Sequence, residues 1–272
     1  MQSMKKFLVS LMAAFALLFV SACGGSDSSE GQSGSTEKVG EDKGTELTKD
    51  NFADEIMKAQ LDAGTAHLVM TMTMGGQEIT MDGDMSVAEK PADTAMSLTM
   101  DGEALGAGDT DLEMRLVDQV MYMKMGQATG DKFARIDLTD ESNPMGAQFS
   151  EMMEQSNPAT QVEAMGESIE SFEDGGDGGE IDGVSTTKYR ITLNAAKMYE
   201  AQGTDPSAMA GLPETIEYVM YVGDDNLPRR LEAEVMGATA VNEWTKWGED
   251  VDISAPSDDE ITDQNPFAGM GG

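Results

Sequence analysis

The chain's only cysteine, Cys23, follows an apolar run and two small residues. A positive start at Lys5-Lys6 leads into Phe7–Val20 (FLVSLMAAFALLFV), and Val20-Ser21-Ala22-Cys23 completes the segment. This order is typical of a signal peptide with a cleavage site. Small side chains before the cut admit a peptidase, and the thiol accepts a diacylglycerol group. The sequence therefore predicts removal of residues 1–22 and acylation of Cys23 with chains such as palmitate.

The apolar run itself is too short for a membrane span, which needs roughly 20 apolar residues. An ordinary secretory signal followed by a chance cysteine is the alternative. If Cys23 is acylated, we expect residence on the extracytoplasmic face of the cell membrane, because two or three acyl chains give stable anchoring.

Few other residues offer catalytic or metal-binding chemistry. With one histidine, His67, and one cysteine, disulfides, thiolate sites and histidine-cluster metal sites are excluded. The acidic run Asp174–Asp182 (DGGDGGEID) lacks the glycine and glutamate positions of a calcium loop, so an acidic hairpin is favoured.

The pair Arg229-Arg230 could form ion pairs with surface acids, which is the favoured interpretation, or it could contact a phosphate. We expect no enzyme activity, no metal and no cofactor.

The formal charge excludes several partners. The net charge is −34 at pH 7, and loss of Lys5 and Lys6 with the signal makes the mature chain more negative still. Such a protein is repelled by nucleic acid and by anionic lipid headgroups. We expect a monomer that binds no nucleic acid and is attached to the membrane only through Cys23.

Hydrophobic periodicity divides the rest of the chain. Residues 23–46 are rich in Gly, Ser and charge and are expected to form a flexible tether; 47–256 form one domain; 257–272 form a disordered acidic tail. Thr48 is the expected N-cap of a helix over 51–63 that ends at Gly64. Further helices are expected at 145–155, 158–165 and 195–201. Alternation with period two predicts strands at 67–74, 78–87, 94–100, 112–117, 120–125, 133–138, 184–193, 215–222, 227–235 and 238–247.

This order predicts an α+β fold built on one strongly curved antiparallel sheet. The competing arrangement is two separate β-domains divided near 143–180. The strand at 169–172 is expected to be short, with 174–182 as a glycine-rich turn. The acidic faces, including Glu78, Asp82 and Asp84, are expected to be solvated.

Methionine is unusually frequent, at 24 of 272 residues. The predicted strands place a set of methionines on inward faces: Met70, Met72, Met74, Met81, Met85, Met96 and Met100. Unbranched thioethers fill irregular cores, and they can equally form an adaptable wall for acyl chains. Cu(I) binding is disfavoured because methionines at alternate strand positions spread their sulfurs instead of converging them.

Several stretches together resemble the actinobacterial LppX/LprA/LprF/LprG lipoproteins, within the LolA/LolB-like superfamily. They are the lipobox, which is the lipoprotein-processing motif Val20–Cys23, then Leu47-Thr48 before AHLVMTMTM, LVDQVMYMKM (116–125), KFARIDL (132–138), IDGVSTTKYRITL (181–193), YVGDDNLPRRLEAEV (221–235) and WTKWGEDVDISAP (244–256). The likeness covers roughly 47–256. Phe133 stands where that family usually has another aromatic, often Trp.

The resemblance implies a half-open β-barrel with helices across its concave face and a non-catalytic function. Some members of the family hold acylated lipids or lipoglycans between sheet and helices, for transfer or presentation at the envelope. The residues expected to line such a cavity are Met70, Met72, Met96, Met100, Phe149 and Met153. The alternative is a structural or sensory module with a filled core that uses its acidic face to contact an envelope partner.

Overall fold

The computed structural model describes residues 44–102, 111–140, 166–201, 213–235 and 237–262. The lipobox with Cys23, most of the tether and the helices expected at 145–155 and 158–165 lie outside these residues. The described helices are α1 (Phe52–Ala63) and α2 (Ala195–Ala201). The described strands are β1 (Thr65–Met74), β2 (Gln77–Ser86), β3 (Ala95–Met100), β4 (Leu112–Val117), β5 (Val120–Lys124), β6 (Phe133–Asp137), β7 (Ile169–Ile181), β8 (Val184–Asn194), β9 (Thr215–Gly223), β10 (Pro228–Val235), β11 (Ala238–Thr245) and β12 (Ile261–Thr262).

These strands form one sheet in the order β12-β6-β5-β4-β3-β2-β1-β11-β10-β9-β8-β7. Neighbours are antiparallel except for β12, which runs parallel to β6. The pairing of β1 with β11 joins the first half of the chain to the second half. The predicted single curved antiparallel sheet is therefore confirmed, and this pairing does not fit the competing arrangement of two separate β-domains. Over the described residues the sheet is not closed, because its order ends at β12 and β7.

Tight turns connect most neighbouring strands, and each needs residues that tolerate positive φ. Gly75-Gly76 joins β1 to β2 with φ of 60° and 84°, and Asp118-Gln119 joins β4 to β5 with 51° and 61°. Two consecutive positive φ values match the twist of antiparallel strands. Asn226 at φ 59° completes the turn from Gly223, whose carbonyl accepts a hydrogen bond from the Asn226 amide.

Helix α1 begins at Phe52 with Asn51 as its N-cap, so the expectation of Thr48 in that role is wrong. The Asn51 side-chain oxygen accepts hydrogen bonds from the amide and hydroxyl of Thr48 at 2.7 and 3.0 Å. Thr48 in turn offers its carbonyl to the Phe52 amide at 2.9 Å. The two residues thus form a turn before the helix. Gly64 ends the helix at φ 77°, as predicted.

The acidic run Asp174–Asp182 was expected to be a turn, but most of it belongs to β7, which continues to Ile181. Register shifts in the β7–β8 pairing leave Gly176 and Gly179 at positive φ. The carboxylates of Asp174 and Asp177 accept hydrogen bonds from the amides of these two glycines at 2.7 and 2.8 Å. Glycine and aspartate here make bulges within a strand.

The start of the expected acidic tail also has regular structure. Asp258–Glu260 form a 3-10 turn, and β12 then adds to the edge of β6. Two side chains hold this segment: Arg115 donates to the carbonyl of Ser254 at 3.3 Å, and Lys132 donates to that of Asp259 at 2.7 Å. Because these contacts depend on residues more than a hundred positions earlier, the local sequence did not reveal them.

Candidate ligand face

The pairing registers arrange the inward side chains in transverse rows across the sheet. One row crosses seven strands, from β9 to β4, and contains Met220, Leu231, Asn242, Met70, Met81, Met100 and Leu112. A second crosses seven strands from β11 to β6 and contains Trp244, Leu68, Gly83, Leu98, Met114, Met123 and Ala134. A third contains Ala66, Met85, Met96, Leu116, Met121 and Ile136.

Burial divides this inward face into two parts. Around β8–β11 the inward side chains are buried; Met220, Leu231 and Trp244 are all 3% exposed or less. Across β1–β5 a set of inward methionines is only partly buried, and we call it the methionine face: Met70, Met81, Met96, Met100, Met114, Met121 and Met123. Apolar side chains therefore remain partly accessible across β1–β5, although Leu68, Met85 and Leu98 on the same strands are buried.

Helix α1 fills the buried half. Its Phe52 and Ile56 are 1% and 7% exposed and belong to one core cluster with Leu68 and Trp244. The Phe52 ring centroid lies 5.1 Å from that of Phe172, which stacks on Tyr189 at the same distance. This helix is thus a fixed part of the core.

The residues expected to line a cavity fall into three groups. Met70, Met96 and Met100 belong to the methionine face, and Met70 and Met96 also pack against the core cluster. Met72 is inward but 6% exposed, so it is part of the filled core. Phe149 and Met153 lie outside the described residues, and their cavity role stays a prediction.

Sequence reasoning did not assign Met81, Met114, Met121, Met123 or Asn242 to the site. The alternation in LEMRLV and VMYMK, over β4 and β5, would have placed the methionines of these strands inward. Asn242 lies in the segment Asn242-Glu243-Trp244 of β11. Because Asn242 and Glu243 are both polar, the sequence pattern alone does not show that Asn242 shares a face with Trp244.

The opposite, outer face carries charged side chains, and some of them lie within ion-pair distance of each other. His67 Nδ1 lies 2.9 Å from the Asp84 carboxylate, and its Nε2 lies 3.4 Å from that of Asp82. Glu78 and Asp82 are exposed and Asp84 is partly exposed, so the prediction of a solvated acidic face is confirmed. On β4 and β5, Glu113 accepts from Lys124 at 2.8 Å.

Arg229 and Arg230 both pair with acidic side chains, as the favoured interpretation predicted. Arg229 lies 2.7 Å from Asp225, and Arg230 lies 2.6 Å from Glu243. Burial acts to lower the pKa of Arg230, but the hydrogen bond and charge of Glu243 outweigh it and raise the pKa. Arg230 therefore stays charged on the outer face.

Neither a metal cluster nor a membrane-spanning helix is found in the described part of the chain. Across residues 44–102, 111–140, 166–201, 213–235 and 237–262, no three His, Cys, Asp or Glu side chains are grouped to hold a metal ion. Within those same ranges no helix is long and apolar enough to cross a membrane.

The open curved sheet, with a helix packed on its inward face, defines a LolA-like fold. LprF from Mycobacterium bovis matches with a TM-score of 0.50 at 14% identity, over 77% of this chain and 97% of LprF. The Mycobacterium tuberculosis lipoprotein LppX matches with a TM-score of 0.49 at 14% identity, over 75% of this chain and 98% of LppX. No family model and no curated protein matches the sequence. The predicted resemblance is confirmed at the level of the fold by the match to LprF.

Proposed function

We propose that the protein is a non-catalytic, lipid-anchored envelope lipoprotein that holds an acylated lipid or lipoglycan against the methionine face, for transfer or presentation. The observation that carries the proposal is the partial exposure of seven methionines on the inward face of the sheet, which elsewhere is packed as a core: Met70, Met81, Met96, Met100, Met114, Met121 and Met123. Ligand pockets are concave and mostly apolar, with few polar groups.

The residue type also suits this ligand class. Methionine has an unbranched, polarizable side chain that repacks around partners of different shape. Burying about ten methylene groups contributes roughly 8 kcal/mol, which is the free energy of a micromolar complex. Acyl chains can thus be bound without a charged headgroup site.

One further feature of the sequence supports an envelope location. An apolar run preceded by Lys5-Lys6 ends in Val20-Ser21-Ala22-Cys23, as in a signal peptide whose cleavage leaves a cysteine for acylation. We propose that acylated Cys23 anchors the domain on the extracytoplasmic face of the cell membrane. Helices over 145–155 and 158–165 would then cover the methionine face, with Phe149 and Met153 facing the ligand.

A fluorescent acyl probe tests the ligand class. Titration of the methyl ester of cis-parinaric acid, which is uncharged, into the protein carrying Cys23→Ala, which keeps every other residue, is expected to give saturable binding at micromolar concentration. Unlabelled diacylglycerol is expected to displace the probe. Absence of saturable binding would instead favour the module with a filled core.

A further inference from the structure

Asn242 is a buried amide in an otherwise apolar row. The residue is 2% exposed, and in the described structure its Nδ2 atom is buried with no hydrogen-bond partner. Its cross-strand neighbours are Leu231 and Met70, and its neighbours on the same face of β11 are Ala240 and Trp244. Leaving a buried donor without an acceptor costs about 1–3 kcal/mol. The buried Nδ2 of Asn242 therefore indicates a hydrogen-bond acceptor other than these four neighbours.

The position of Asn242 in the row is specific. Met220 and Leu231 on one side are buried, whereas Met70, Met81 and Met100 on the other are partly exposed. Asn242 therefore stands where the filled core ends and the methionine face begins. From its strand to that of Leu112 is four inter-strand spacings, about 19 Å. An acyl chain lying along this row would have one end beside the amide.

We propose that Asn242 is the polar anchor of the ligand site and that its Nδ2 donates a hydrogen bond to an ester carbonyl at the head of an acyl chain. This inference rests on the proposed function. We take the acceptor to be neutral, because the neighbours of Asn242 across the strands, Leu231 and Met70, are uncharged and a buried anion is costly. An ester carbonyl is uncharged and directly attached to the chain that the methionines hold.

Access to the amide depends on Met70. Cross-strand partners have Cβ atoms about 4.5–5.5 Å apart, so the Met70 side chain stands between Asn242 and the rest of the methionine face. Because methionine changes rotamer readily, a ligand can displace it without moving the backbone. A rigid branched residue at position 70 would hinder this.

A matched pair of ligands tests the anchor separately from the proposed function. Dipalmitoylglycerol and its dihexadecyl ether analogue have equal chains and differ by the carbonyls. Native mass spectrometry compares the binding of the two ligands to two proteins. One carries Cys23→Ala only, and the other carries both Cys23→Ala and Asn242→Leu. We expect the ester to be preferred about 5- to 10-fold, and Asn242→Leu to reduce that preference below 2-fold while the ether still binds.

Two outcomes separate the claims. If neither ligand binds, the proposed function fails. If both bind equally, or if the ester preference persists in Asn242→Leu, the anchor is wrong and the proposed function stands. The Nδ2 amide proton of the unsubstituted residue gives a second readout by NMR: it should shift with the ester and not with the ether. An equal shift with both ligands contradicts the anchor.

Discussion

A Cβ atom added to Gly83 would overlap the carbonyl oxygen of Ser97 on the neighbouring strand. Gly83 pairs with Leu98 across β2 and β3, in the row that also holds Leu68 and Met114. Only glycine permits the two backbones to approach this closely. The contact lies where β2 passes beside β3, with the buried side chains of Leu68 and Leu98 on its two sides.

Gly83→Ala is therefore expected to destabilise the fold by about 1–3 kcal/mol, because the strands must separate to admit the methyl group. Urea unfolding followed by circular dichroism measures the change. Gly166→Ala is the matched control, since a Cβ there meets nothing within 4 Å, and should change stability by less than about 0.5 kcal/mol. Equal stability of the two variants would contradict the close approach.

Phe52→Ala is expected to cost about 3–5 kcal/mol, because Phe52 is 1% exposed and its ring lies against Phe172. The loss should detach α1 from the sheet and appear as a lower midpoint in thermal unfolding. Asp54→Ala, at an exposed position of the same helix, should leave the midpoint nearly unchanged. A small effect of Phe52→Ala would show that α1 is not part of the core.

The contact between Glu260 and Ser257, in the segment before β12, is expected to depend on pH. Hydrogen bonds from the hydroxyl and amide of Ser257, at 2.6 and 3.0 Å, lower the pKa of Glu260 below its ordinary value of 4.5. Because these bonds favour the charged carboxylate, their stabilisation is complete above pH 4.5 and is lost as pH falls through the lowered pKa. NMR titration of the Glu260 carboxyl carbon should give a higher midpoint in Ser257→Ala, with Ser254→Ala as control. An unchanged midpoint in Ser257→Ala would disprove the contact.

Cys23→Ala is expected to release the protein from the membrane fraction, because the proposed anchor depends on this one thiol and the rest of the chain is strongly acidic. Fractionation with immunodetection measures the distribution, and Ser21→Ala, which keeps a small side chain before the cut, serves as control. Retention of the Cys23→Ala protein in the membrane would mean that Phe7–Val20 remains as an uncleaved anchor.

Local patterns predicted most of the fold. Strict alternation located β1 to β3, and Gly75-Gly76 and Asp118-Gln119 supplied turns with the required positive φ. The acidic run in β7 was misassigned because Asp and Gly are typical of turns, while here they form bulges stabilised by side-chain carboxylates. The position of β12 could not be predicted, because its partner β6 is more than a hundred residues away.

The site was predictable only in part. Alternation places Met70, Met81 and Met100 on one face, but it does not show that they stay partly exposed while Met72 is buried. That difference depends on where α1 packs and on how the strands are ordered. Asn242 required the registers of β10, β11 and β1, which bring it beside Leu231 and Met70.

The most direct test of the central claim compares lipid bound to Met100→Trp and Thr99→Trp. Met100 belongs to the methionine face, whereas Thr99 is exposed on the opposite face of the same strand. Native mass spectrometry and solvent extraction would be applied to both proteins, in the Cys23→Ala background, purified from an actinobacterial host. We expect co-purifying acylated lipid in Thr99→Trp and its loss in Met100→Trp, because the indole fills the space of the acyl chain. Equal lipid in both variants, or no lipid in the Cys23→Ala protein itself, would contradict lipid binding at the methionine face.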